Sequence, residues 1–87
     1  MRRIPLPFAP GIAVEVLSPS EVAVEVPRKI HSHLAAGCKE VWLLDADLAD
    51  VEVHTLNANR LWQGGQLLES PLLPGFSAPV QDLLIQV

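Results

Sequence analysis

Cations and cysteines are both scarce in this sequence. Six Lys and Arg residues face ten Asp and Glu, which gives a net charge of −4 and an isoelectric point near 5.1. That balance is opposite in sign to the basic footprint of a domain that grips the DNA backbone by charge alone. It disfavours tight non-specific nucleic-acid binding and leaves room only for a local basic patch. The single cysteine, Cys38, excludes an internal disulfide, and a zinc site built on it would need other ligands. No stretch reaches the ~18 apolar residues of a membrane span. The opening MRRIPLPFAPG is interrupted by Pro5, Pro7 and Pro10 and has no apolar run of signal-peptide length. These absences predict a cytoplasmic chain with no membrane partner.

Apolar residues, in contrast, are abundant. They make up 49% of the 87 residues, and the mean hydropathy is +0.31. A chain of this length forms one domain and buries only about 60–65% of its unfolded surface. So much apolar surface on so small a core predicts a partner, and the simplest partner is a second copy in a homodimer.

Residues 1–10 alternate prolines with apolar residues and predict an extended arm ahead of a domain over residues 11–87. Ile12 to Leu17 (IAVEVL) reads as a buried strand, with Ile12, Val14 and Val16 on one face and Ala13, Glu15 and Leu17 on the other. Ser18-Pro19-Ser20-Glu21 has the form of a capped helix start. EVAVEV then alternates like a strand, and Pro27 would break a helix interior. Two solutions stay open: a helix kinked at Pro27, or one beginning there. Both make Pro27 to Ala36 helical, with Gly37 as the C-terminal cap and Val26, Ile30 and Leu34 as the apolar stripe. Val41 to Leu44 reads as a second buried strand and Val51 to Leu56 as a half-exposed one. A turn at Asn57-Ala58-Asn59 leads to a short strand at Arg60 to Trp62. Leu67-Leu68 adds a brief strand, and Pro79 to Ile85 a last short helix.

Glu15 is the most informative residue. A carboxylate inside a buried-type strand is costly unless it is paired, neutralised or bound to a metal. It reads either as a metal ligand or acid, or as an edge-strand glutamate facing water or a lysine. Lys29 is a candidate partner, because the helix after the strand must pack back on the sheet; the other reading is a surface lysine whose stem covers the apolar stripe. His31 and His33 are two apart on a helix and point away from each other, so they read as solvent-exposed histidines and not as a clamp for one ion. Asp45, Asp47 and Asp50 lack the glycine and the distant glutamate of a calcium loop and read as a solvated connection.

Several strings occur in one order: PGIAVEVLSPS, then Arg28-Lys29-Ile30, HLAAGCKEVWLLD, VEVHTL and ESPLLPGFSAPVQDLL. From Pro10 to the C-terminus the chain resembles the Uma-two family of restriction-endonuclease-like proteins, a branch of the PD-(D/E)XK nuclease superfamily. The resemblance implies an α/β fold: a restriction-endonuclease-like core with a mixed β-sheet, one main packing helix and a short C-terminal helix. It also implies metal-dependent hydrolysis of DNA phosphodiesters. Glu15 then matches the strand glutamate, a ligand of Mg²⁺, and Lys29 the helix lysine that positions the attacking water. The departures are specific. Gly11 stands where the family has aspartate, His33 replaces an aromatic residue, and Pro27 falls where the family helix is continuous. Family members also carry a further N-terminal half with additional acidic groups, so the chain is expected to be an N-terminally truncated member.

Two functions follow. One is a nuclease domain, incomplete and inactive as an isolated chain, with DNA as its substrate. The other is a non-catalytic dimerisation or protein-binding module built on the same fold.

Overall fold

Alternation of β-branched residues builds one sheet with two different faces. A computed structural model describes residues 11–17 and 25–85. The proline-rich arm and the helix start expected at Ser18 to Glu21 lie outside the described residues. Strand β1 (Ile12–Val16) runs parallel to β2 (Glu40–Asp45); β3 (Asp50–His54) and β4 (Asn59–Gln63) follow as an antiparallel meander. The strand order is β1-β2-β3-β4. A parallel pair needs a crossover, and here it contains helix α1 (Glu25–Ala35). A two-stranded ribbon, β5 (Leu67–Leu68) with β6 (Ala78–Pro79), and a short helix α2 (Val80–Leu84) complete the described fold. The mixed α/β architecture expected from the sequence is the one observed.

The register sorts the side chains. Val14 pairs with Trp42 and Val16 with Leu44 across β1 and β2. Leu44 pairs in turn with Val51, and Val51 with Trp62. Because strand side chains alternate, these residues share one face. That face is the core: Val14, Val16, Trp42, Leu44 and Val51 are buried together with Leu68, Val80 and Leu83 from the C-terminal segment. Trp42 and Leu44 are both 0% exposed. Phe76 lies against Trp42 with ring centroids 6.3 Å apart, in a tilted arrangement.

The second face carries Ala13, Glu15, Leu43 and Glu52, and α1 lies on this side. Pro27 sits in the first turn of α1 as described. The described helix therefore does not begin at Pro27, two residues after Glu25. The C-terminal stop is as expected. Gly37 adopts φ +104, its N–H donates to the Leu34 carbonyl at 3.1 Å, and the Cys38 N–H donates to the His33 carbonyl at 3.0 Å. This pair of bonds is a Schellman cap. Val26, Ile30 and Leu34 are only half-buried, and no described residue of α1 is fully buried.

The turn after β3 comes earlier than the sequence suggests. The Thr55 hydroxyl accepts from the N–H groups of Asn57 (3.3 Å) and Ala58 (3.1 Å) and donates to the Ala58 carbonyl. With those groups satisfied, the chain reverses over residues 55–58 and β3 ends at His54. No helix among the described residues is long and apolar enough to cross a membrane.

The two faces of the sheet predict a sharp contrast in stability. Leu44→Ala should destabilise the fold by about 2–5 kcal/mol, the range for a fully buried leucine. Leu61→Ala, on the exposed strand β4, should change it by less than about 0.5 kcal/mol. Chemical denaturation of both variants checks this, and equal losses would contradict the core assignment.

Candidate functional site

Strand β1 delivers Glu15 to the α1 face, and helix α1 meets it there with His33. The His33 Nε2–H donates to Glu15 Oε1 at 2.7 Å. The two side chains are 26% and 17% exposed respectively, so this is a partly desolvated, charge-assisted contact. His33 is therefore not the solvent-exposed residue that its position on the helix suggested, whereas His31 is. The i,i+2 geometry did separate the two histidines; which one faced the sheet depended on the helix phase, and that is set by packing. Lys29 is half-buried and precedes His33 by four residues, so it lies one turn away on the same side of α1.

Other carboxylates lie on this face. Glu15 pairs in register with Leu43, and Leu43 with Glu52. Glu15 and Glu52 thus share one row, separated by two strand spacings, or about 10 Å. Glu52 holds its own histidine: the His54 Nε2–H donates to Glu52 Oε1 at 2.9 Å. Two residues before Glu52, at the start of β3, burial raises the Asp50 carboxyl above its usual range, and the charges of Asp45 and Glu52 add to the shift. Asp45 is a loop cap, accepting from the N–H groups of Asp47 (3.0 Å) and Leu48 (3.1 Å). Asp47 is exposed as expected of a solvated connection, but Asp50 is not: it is the buried first residue of β3, and the connection ends before it.

A divalent ion is what the resemblance implies, so the donors must be tested against it. Among the described residues no group of three or more His, Cys, Asp or Glu side chains is placed to hold a metal. Glu52 is too far along the row to share an ion with Glu15. Gly11, where the family has aspartate, offers no side chain, and its surroundings resist one. It adopts φ +94, and a Cβ there would lie 3.3 Å from Lys39 Cγ. The Gly11 carbonyl also accepts from the N–H groups of Lys39 and Glu40 at 2.7 and 3.1 Å. One chain's described donors therefore do not fit a complete divalent-cation centre.

Glu40 is the carboxylate that sequence reasoning passed over. It is 8% exposed and lies on the core face. Its Oε1 accepts from Trp42 Nε1–H at 2.9 Å and from the Ser70 hydroxyl at 2.9 Å. The Glu-x-Trp spacing was the available signal, since it puts both side chains on one face of a strand. The role is architectural: it pins β2 to the C-terminal segment.

The sequence model of the Uma2 family, "Putative restriction endonuclease", matches residues 2–81. The chain belongs to the Uma2 family. Among solved structures, it is similar to a putative nuclease belonging to DUF820 from Anabaena variabilis ATCC 29413. The TM-score is 0.76 at 24% identity, over 91% of this chain and 46% of that one. The Uma2 chain thus spans about half the length of that protein, and the likeness establishes the fold. No functionally curated protein matches the chain.

Two outcomes follow from these contacts. His33→Ala leaves the Glu15 carboxylate without this donor and should destabilise the fold by about 1–2 kcal/mol; His33→Gln, which can still donate, should recover part of the loss in thermal melts. Asp50 behaves in the opposite sense. Its folded-state pKa lies above the unfolded value, so at neutral pH the folded chain carries a charge that it disfavours. As the pH falls through the raised value, the folded carboxyl protonates first and the penalty fades. Asp50→Asn should therefore raise stability at neutral pH, with a gain that shrinks on acidification. A gain that grows on acidification would contradict the assignment.

Proposed function

We propose that this chain is a restriction-endonuclease-type domain that engages DNA phosphodiesters on the α1 face of its sheet, and that a single copy is not a complete hydrolase. The observation that carries the reading is the Glu15–His33 contact: a strand glutamate, partly desolvated, held by the helix that also carries Lys29. Glu15 is the site's carboxylate and Lys29 its cation. His33 acts by positioning, fixing the carboxylate with its Nε2–H. Membership of the Uma2 family supports phosphodiester hydrolysis in the cytoplasm as the ancestral chemistry, with Mg²⁺ as the expected cofactor. The donor set argues that one copy binds such an ion weakly, because Mg²⁺ is usually held by one or two carboxylates plus substrate phosphates in an octahedral arrangement. The net charge of −4 opposes capture of DNA by charge alone.

A second reading, a non-catalytic assembly module, is favoured by one observation: β1 is an edge strand of the sheet among the described residues. An apolar edge is a template for association.

The test is incubation of dilute protein with plasmid DNA and Mg²⁺ or Mn²⁺, beside a Glu15→Ala variant. The expected result is no detectable nicking by the dilute parent chain and Mn²⁺ affinity no tighter than millimolar. Cleavage present in the dilute parent and lost in the variant would show that one copy is complete and would overturn the incompleteness.

A further inference from the structure

We propose that the cavity beside β4 is a binding site for a guanine base, held between the guanidinium of Arg60 and the carboxylate of Glu69. The inference goes beyond the phosphodiester reading, because this cavity involves neither Glu15 nor Lys29.

Register and loop together build the cavity. Arg60 pairs with Val53 and Trp62 with Val51. Both side chains therefore leave β4 on the face that carries the core, the face opposite to Glu15. The other wall is the segment from Glu69 to Phe76, where Leu73 lies among prolines. Between them is an open cavity of about 410 Å³, within the size range of small-ligand sites. The loop wall is fixed in advance. The Leu73 N–H donates to the Ser70 carbonyl and the Phe76 N–H to the Leu73 carbonyl, both at 3.0 Å. The Leu72 N–H donates to the Ser70 hydroxyl at 3.1 Å, and that hydroxyl is tied to Glu40.

Two opposite charges stand at this cavity. The Arg60 guanidinium stacks on Trp62, 4.8 Å from the ring centroid. Stacking holds the guanidinium plane and leaves its N–H edge to donate elsewhere. Glu69 is exposed. Among the described residues neither Arg60 nor Glu69 makes an ion pair, with the other or with a third group. A ligand that satisfies both must carry acceptors on one edge, donors on another, and flat apolar faces for the walls between.

Guanine has that distribution. Its O6 and N7 accept the two N–H donors of an arginine fork. Its N1–H and N2 amino group donate to a carboxylate, which only accepts. Its faces stack on aromatic and apolar surface, which Phe76 and Leu73 supply here. Adenine would set its N1 acceptor against the carboxylate and leave both unpaired. Cytosine offers the carboxylate a single amino group. A neutral base is also compatible with the net charge of −4, which opposes capture of a phosphate backbone.

Calorimetric titration of the full chain with GMP, AMP and CMP tests the assignment. GMP should bind with a millimolar or tighter Kd, about tenfold or more tightly than AMP or CMP. Inorganic phosphate should not displace it. A short oligothymidylate with one central guanine presents the same base on a single strand. Tighter binding of that strand than of GMP assigns the site to single-stranded nucleic acid, and weaker binding assigns it to a free nucleotide. Arg60→Lys keeps the charge but loses the fork, and should weaken GMP about tenfold. Glu69→Gln should bring GMP down to the level of AMP. Both side chains are exposed, so both variants should keep the parent's melting temperature. Leu61→Ala, on the other face of β4, should bind GMP as the parent does. No binding at millimolar GMP, equal binding of GMP and AMP, displacement by inorganic phosphate, or a folded Glu69→Gln variant that keeps the preference would each overturn the proposal.

Discussion

A fully buried indole N–H must find an acceptor, and in this fold it finds Glu40. Trp42 is the largest side chain of the core and sits at the middle of β2. Its Nε1–H and the Ser70 hydroxyl meet on one carboxylate oxygen. A buried carboxylate is tolerated only when it is hydrogen-bonded, and both donors here are fixed by the fold. The arrangement joins the central strand to the segment that begins at Ser70, and that segment then supplies Phe76, Val80 and Leu83 to the cover of the core face. Without the shared acceptor, the Trp42 Nε1–H and the Ser70 hydroxyl would each lose the bond that ties β2 to the C-terminal segment.

The consequence is a division of labour between the two faces of a single sheet. The even positions of β1 and β2 are committed to packing against the C-terminal segment. The odd position Glu15 is left to the more open side, where α1 covers the sheet with half-buried residues. Chemistry-bearing groups gather on the less tightly packed side: Glu15 with His33, Glu52 with His54, and Lys29 on the helix.

Much of the fold was legible because the strands follow a strict period of two. IAVEV assigns its faces by alternation, VWLL is apolar on both and takes its faces from the register, and Gly37 marked the helix stop through a backbone requirement that few other residues meet. Glu15 stood out for a related reason, as the charge in an apolar strand. What escaped were contacts that depend on three-dimensional phase. The approach of His33 to Glu15 needs the rotation of α1 about its own axis, and periodicity leaves that open when the helix is only half-buried. The capture of Trp42 and Ser70 by Glu40 spans thirty positions between Glu40 and Ser70, a separation that no local pattern encodes. The early turn at Thr55 depended on one hydroxyl satisfying two amides, where the asparagines that follow offered a more familiar turn signal.

Gly11 shapes the entry to β1 with its backbone alone. Its φ of +94 and the nearness of Lys39 Cγ mean that the backbone here has settled into a shape only glycine occupies comfortably. An aspartate introduced at this position would meet a strained conformation and a crowded neighbour together. It would also disturb the carbonyl that receives the amides of Lys39 and of Glu40, the first residue of β2. The entry to β1 therefore admits no acidic side chain without a change in the path of its backbone.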